Sequence, residues 1–275
     1  MMNNYLKNMF DLTGKVAVIT GADGILGRKF CQGLAEHGAD LALIDLNQSD
    51  LDDLSDQLNK SYNINVKGYQ CDVSDQDSVI KMVKDVKKDF KKINILLNNA
   101  ASKSDDLDKF FASYEKYTID EWQKIMSVNI DGMFLVSKEI GKQMLKQKTG
   151  GSIIQTSSIY GEMAPDNSIY ENSVYLGHKI NTPAVYASSK AAVNGLTKYL
   201  ASYWGDKNIR VNSISPGGVE SGQNAEFIKR YSSRIPMKRM AKDYEMVGTV
   251  IYLASDASSY VTGQNIFIDG GLNCL

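Results

Sequence analysis

Val16-Ala17-Val18-Ile19-Thr20-Gly21-Ala22-Asp23-Gly24-Ile25-Leu26-Gly27 reads as a buried strand that ends at a glycine and reopens as a helix. The apolar run is short, rich in β-branched residues and closed by Gly21, as expected of a strand covered on both faces. A helix follows from about Gly24 to His37. Strand, glycine turn and helix form the arrangement that a dinucleotide needs. Gly21 permits the tight turn, and Gly24 lets main chain approach a pyrophosphate. Gly27 lets the helix pack closely, and the helix N-terminus directs free N–H groups at the phosphates.

The same alternation continues outward. Strands are expected at Asp40–Asp45, Val66–Cys71, Ile93–Leu97, Gly151–Ser157, Ile209–Ile214 and Asn265–Asp269. Between them, helical spacing runs over Leu51–Leu58, Asp75–Phe90, Asp120–Lys146, Ala184–Trp204 and Tyr244–Ser255. Strands alternating with helices predict an α/β fold, a doubly wound parallel sheet with helices on both faces. No internal repeat or Pro-rich linker divides the chain, so 1–275 is expected to form one domain. Two stretches, Ala101–Thr118 and Gly161–Pro183, read as long loops, which in a compact domain are usually functional.

Bulk composition excludes several classes. The chain has 275 residues, 43% hydrophobic and 23% charged, with 31 basic and 32 acidic residues. A net charge of −1 offers nothing to nucleic acid or another polyanion. The first seven residues lack a signal-peptide core, and no apolar run is long enough to span a membrane. Cys31, Cys71 and Cys274 are irregularly spaced, which fits a reducing cytoplasm and argues against a disulfide framework or a metal site. His37, before Gly38 at a helix end, suits a capping role.

Asp45 closes the second strand, 18 residues beyond Gly27. A carboxylate there can accept from both adenosine ribose hydroxyls and repels a 2′-phosphate, so the expected cofactor is NAD rather than NADP. Arg28 is the competing candidate for a 2′-phosphate. Further along, Tyr186-Ala187-Ser188-Ser189-Lys190 places a phenol and an ammonium four apart on one helix face. A free tyrosine, with a pKa of roughly 10, is a poor base at neutral pH. A neighbouring ammonium favours the phenolate. Lowering the pKa by about three units takes about 4 kcal/mol.

Taken in order, these motifs resemble the short-chain dehydrogenase/reductase family in its compact, single-domain, Rossmann-type branch. The resemblance runs from Gly14 to Gly271. It rests on the glycine turn, Cys71-Asp72-Val73, Asn98-Asn99-Ala100-Ala101, Asn129, Ser157-Ser158, Tyr186 with Lys190, and Pro216-Gly217-Gly218. It implies a catalytic tetrad of Asn129, Ser158, Tyr186 and Lys190, with Ser157 the less favoured serine. Tyr186 would exchange the proton of a carbinol whose hydride passes to or from the nicotinamide. Ser158 would hold the substrate oxygen, Lys190 the nicotinamide ribose, and Asn129 a water in the proton relay. Cofactor contacts are implied for Gly21, Asp23, Gly24, Ile25, Leu26 and Gly27 in the turn, and for Asp45 and Leu46 after the second strand. They are implied also for Asp72, Val73, Asn99, Ala100 and Ala101, for Tyr186 and Lys190, and for Pro216, Gly217, Val219 and Ser221. Individually, Asn98-Asn99 also suits a strand-end cap, Asn129 a helix kink, and the two serines ordinary strand-end hydroxyls. The resemblance further implies a homo-oligomer, dimer or tetramer, acting on a small molecule.

Two departures stand out. Ile25 occupies the branch's middle glycine position, giving TGxxGxxG in place of TGxxxGxG. Ser158 and Tyr186 are 28 positions apart, about twice the family's usual interval. The added 161–183 segment contains Asp166, Asn167, Tyr170, Glu171, Tyr175, His178 and Lys179. It is expected either to border the substrate mouth, where its polar content would suit a polyhydroxylated or charged substrate, or to form a surface flap or subunit contact. The run from Ser158 to Asp166 is similar to family members that make bacterial surface sugars. A 3-oxoacyl reductase and a catalytically silent NAD-sensing protein are the alternatives.

Overall fold

The computed structural model describes residues 8–104 and 106–275. Residues 1–7, read above for a signal sequence, lie outside the described residues. The elements in order are β1 (Val16–Thr20), α1 (Ile25–Glu36), β2 (Asp40–Asp45), α2 (Gln48–Ser61), β3 (Val66–Gln70), α3 (Gln76–Phe90) and β4 (Ile95–Asn98). After a short α4 (Leu107–Phe110) come α5 (Ile119–Met126), a π-helical turn (Ser127–Gly132), α6 (Met133–Gln147) and β5 (Gly151–Thr156). A two-stranded hairpin, β6 (Val174–Tyr175) and β7 (His178–Lys179), precedes α7 (Ala184–Trp204). The chain closes with β8 (Ile209–Pro216), α8 (Ala225–Arg234), α9 (Val247–Ala254) and β9 (Asn265–Ile268).

Seven strands form one parallel sheet in the order β3-β2-β1-β4-β5-β8-β9. Alternate residues of β1 explain why its apolar run is unbroken. Ala17 and Ile19 pack with Phe30 and Leu34 of α1 and Ile251 of α9. Val16 and Val18 pack on the other side with Val79 of α3 and Ile140 of α6. Each such burial stabilises the fold by roughly 1.5–3 kcal/mol. The result is the expected doubly wound, Rossmann-type α/β fold. Its connections reverse between β1 and β4, and the crevice outside the carboxyl ends of those strands is where such sheets take ligands.

Four details differ from the sequence expectation. The helix over 120–146 is not continuous, because the π-helical turn widens it at Ser127–Gly132. That turn carries Asn129 into the interior, where both ends of its amide find partners. Ala101–Thr118 is not all loop. Asp106 caps α4 by accepting from Lys109 N, and a 3-10 turn follows at Tyr114–Lys116. Gly161–Pro183 folds back through the β6–β7 hairpin, whose two-residue turn has left-handed Leu176 (φ 51°) and Gly177 (φ 84°), matching the twist of paired strands. Finally, α8 was not anticipated. Asn224 caps it, accepting from Phe227 N at 3.4 Å.

Candidate active site

The crevice between β1 and β4 opens into a cleft of about 420 Å³. Gly21, Asp23, Gly24, Ile25, Leu26 and Gly27 line it from the turn, with Asp45, Leu46, Asp72, Val73, Asn99, Ala100 and Ala101 opposite and below. The turn is glycine-dependent at two positions. Gly21 has φ +64°, and a Cβ on Gly27 would lie 2.0 Å from the Gly21 carbonyl oxygen. Gly27 thus lets α1 pack closely on the turn's own main chain.

Asp45 is built into this cleft. Its Oδ2 accepts from Asp23 N at 3.0 Å and its Oδ1 from Leu46 N at 2.8 Å. A carboxylate has about four acceptor sites, so capacity remains for two hydroxyl donors. Arg28 is ion-paired with Asp23 and also donates to the Asp23 carbonyl at 3.3 Å. Asp72 gives Oδ1 to Ser74, at 2.9 Å from N and 2.7 Å from Oγ. Thr20 Oγ1 ties the floor together. It accepts from the main-chain N–H groups of Asn99 (2.9 Å) and Ala100 (3.0 Å) and donates to Asn98 Oδ1 (3.2 Å). Asn98 is therefore a structural clamp between strand ends, and the Asn99 side chain is engaged with the Gly21 carbonyl at 3.2 Å.

Beyond the floor, Ser158 and Tyr186 line a second cavity of about 270 Å³. The two serines divide their roles cleanly. Ser157 Oγ donates to the Lys190 carbonyl at 2.9 Å, whereas Ser158 hydrogen-bonds the Tyr186 phenol. Lys190 is buried, and its Nζ donates to the Thr156 carbonyl at 2.9 Å. Its Nζ lies 5.8 Å from the Tyr186 ring centroid. Asn129 accepts from Ser102 N at 2.8 Å and donates to Ser189 Oγ at 3.3 Å. Its amide thus fixes the strand-end segment to α7 and makes no direct bond to Lys190.

The electrostatics correct the simple phenol–ammonium argument. Burial raises the Tyr186 pKa, and the Ser158 hydrogen bond only partly opposes it. Burial likewise pulls Lys190 down to about 8. Desolvation of both groups outweighs their mutual attraction in the protein alone, so a stable phenolate needs a further positive charge.

Gly217 and Ser221 border the same cavity, while Pro216 ends β8 and Val219 bridges to Ala241. Gln223 holds Ser221 from both sides, accepting from its N–H at 2.8 Å and donating to its Oγ at 3.0 Å. The 161–183 segment forms one wall of the cavity, its roof. Its charged side chains do not face inward. Asp166 pairs with Arg234 (3.4 Å), Glu171 with Arg230 (3.1 Å) and His178 with Asp108 (2.7 Å). Tyr170, Tyr175, Asn181 and Thr182 are what the roof presents. Phe110, Phe111, Phe227, Tyr231, Lys103 and Gln223 also line the cavity, and sequence reasoning named none of them. The Asn224 cap with Phe227, Ile228 and Tyr231 at helical spacing was the available signal for the α8 wall.

Among the described residues, no helix is long and apolar enough to cross a membrane. The protein family described as enoyl-(acyl carrier protein) reductase matches residues 21–273. The chain is 36% identical to an NADP-dependent mannitol dehydrogenase of Alternaria alternata, with 97% of this chain and 95% of that one covered. It is 35% identical to a 2-dehydro-3-deoxy-D-gluconate 5-dehydrogenase of Pseudoalteromonas atlantica, covering 95% of this chain and 97% of that one. Among solved structures, a short-chain dehydrogenase from Leptospira borgpetersenii with bound NAD+ superposes with a TM-score of 0.82 at 29% identity, covering 99% of this chain and 96% of that one. With the glycine turn, the Ser158–Tyr186–Lys190 constellation and these likenesses together, the chain belongs to the short-chain dehydrogenase/reductase family.

Proposed function

We propose that this protein is an NAD-dependent oxidoreductase that interconverts a secondary alcohol and a ketone on a polyhydroxylated, sugar-derived small molecule. The single observation that carries the chemistry is the shared cavity of Ser158 and Tyr186, with Lys190 buried behind the phenol. The residues of the cleft fit a dinucleotide, because Gly21 and Gly27 leave room where a Cβ would collide and Asp45 keeps free acceptor sites. When bound, NAD+ supplies the hydride acceptor and a fixed positive ring beside the phenol. Tyr186 Oη takes the carbinol proton in oxidation and returns it in reduction. Ser158 Oγ donates to the substrate oxygen and fixes its position. Lys190 adds positive charge behind Tyr186, and Asn129 holds Ser102, which lines the dinucleotide cleft.

Two features support NAD over NADP. Asp45 lines the cleft with acceptor sites to spare for a ribose, and Arg28 is engaged by Asp23. The same features oppose the 3-oxoacyl reductase alternative, an activity that normally uses NADPH. Within the sugar-derived class, the Ser158–Asp166 run points to surface-glycan precursors. A homo-oligomer is part of the proposal. Tyr199 and Tyr203 stack at 5.8 Å on the outer face of α7, both more than 60% exposed, and light scattering should give a multiple of the 30.4 kDa chain.

The direct test is Tyr186→Phe. It should abolish NAD reduction across a panel of polyols and sugar acids while leaving NADH binding, followed by fluorescence, within about threefold of wild type. Near-normal turnover in that variant sinks the assignment.

A further inference from the structure

The roof sends its acids and bases outward, and this leaves the catalytic cavity with an unusual charge balance. No aspartate or glutamate lines it, and Lys103 is the one charged residue that does, among the described residues. The rest of the wall is aromatic or neutral: Phe110, Phe111 and Tyr175 near Lys103 in the chain or in contact with it, then Ser158, Tyr186 and Gln223. The Lys103 ammonium stands 4.6 Å over the Tyr175 ring. That contact fixes a long, flexible side chain without neutralising it. The root of the side chain is fixed as well, because the preceding residue, Ser102, donates its N–H to Asn129 Oδ1 at 2.8 Å. The buried asparagine of the catalytic helix thus sets where Lys103 enters the cavity.

A cation held on an aromatic wall, with no carboxylate facing it, is a site for an anion. Lys103 is exposed, so its ammonium is open to a carboxylate, with which it forms a charge-assisted hydrogen bond. A neutral polyol gives the ammonium nothing that solvent does not. Resting on the oxidoreductase reading above, we propose that the substrate is a sugar acid rather than a neutral polyol. Its carboxylate is bound by Lys103, and its carbon chain lies on the aromatic walls with the reacting carbinol at Ser158 and Tyr186. A cavity of about 270 Å³ is at the small end for ligand sites, which suits a single open-chain sugar.

The test uses the enzyme–NADH complex and matched pairs that differ only in one carboxylate against hydroxymethyl: threonate and threitol, gluconate and glucitol, galactonate and galactitol. Binding is read from the change in NADH fluorescence, so turnover is not required. At least one acid should bind tenfold or more tightly than its alditol, and 0.5 M NaCl should reduce that preference. Lys103→Met should remove the preference with NADH affinity unchanged, and Lys103→Arg should keep most of it. If no acid binds more tightly than its alditol, or if the preference survives Lys103→Met, the proposal is overturned. Failure of NADH itself to bind would instead overturn the oxidoreductase reading on which it rests.

Discussion

Lys190 Nζ donates to the main-chain carbonyl of Thr156 at 2.9 Å, which holds an ammonium inside the protein on a neutral partner. Burial pulls its pKa from 10.5 down to about 8. Below pH 8 both folded and unfolded chains carry the proton, and the full cost of the buried charge is present. Between about 8 and 10.5 the unfolded chain keeps a proton that the folded chain has lost, so this group makes stability rise with pH. At roughly 1.4 kcal/mol per unit the cost at pH 7 is about 3 kcal/mol. Lys190→Met removes this pH dependence, and the unpaired Thr156 carbonyl costs the same at every pH. Urea unfolding should show the variant gaining about 2–3 kcal/mol on wild type at pH 7 relative to pH 10. Parallel stability curves would show that the ammonium is not desolvated as the structure has it.

Asp45 accepts from the glycine turn and, in the function proposed above, is also the carboxylate that meets the adenosine ribose. Asp45→Ala should weaken NADH binding at least tenfold, while NADPH binding strengthens because the repulsion of a 2′-phosphate is gone. Titrating both cofactors by fluorescence gives the ratio directly. An unchanged ratio would place adenosine recognition elsewhere.

The crevice and the Tyr186–Lys190 pair are legible in the sequence because each is written in local spacing. β1 and its glycine turn are contiguous, and Tyr186 and Lys190 are one helical turn apart. The orientation of the 161–183 roof is not legible. Its Asp166, Glu171 and His178 could serve a polar substrate equally well by composition. Their outward pairing depends on Arg230 and Arg234 of α8 and on Asp108, residues 59–70 positions away. α8 itself is polar along most of its length, so only its cap and three inward side chains mark it. The widening at Asn129 is likewise set by distant partners, Ser102 and Ser189.

Ser157 and Ser158 are neighbours with opposite expectations. Ser157→Ala removes the 2.9 Å side-chain donor that the Lys190 carbonyl holds in the interior beside its place in α7, a loss of about 0.5–1.5 kcal/mol. Turnover per folded molecule should stay within about threefold. Ser158→Ala gives up the long 3.2 Å acceptor for Tyr160 N, so it should lower the melting temperature modestly, and it should lower kcat by about 10²–10³, the range for losing one donor to a developing oxyanion. Thermal melts and kinetics on the two variants, with any substrate the panel reveals, should separate them. A reversed pattern would exchange the two serines in the mechanism.

The glycine turn offers the sharpest steric test. Ile25 stands where the family's usual spacing has a glycine, yet it begins α1 with a half-exposed side chain at the open edge of the cleft. Gly24 before it has φ −69° and ψ 167°, extended backbone open to any residue. Ile25→Gly therefore gains no conformational freedom that the turn needs. It loses helix propensity worth somewhat under 1 kcal/mol, and NADH affinity should change less than threefold. Gly27→Ala is different, because the new methyl would fall 2.0 Å from the Gly21 carbonyl oxygen and 2.8 Å from that of Ala22. Both are main-chain atoms, so the turn itself must move. NADH affinity should fall more than tenfold, with a lower melting temperature. The two variants read by the same fluorescence titration should diverge, and wild-type affinity in Gly27→Ala would contradict the close packing of the turn on α1.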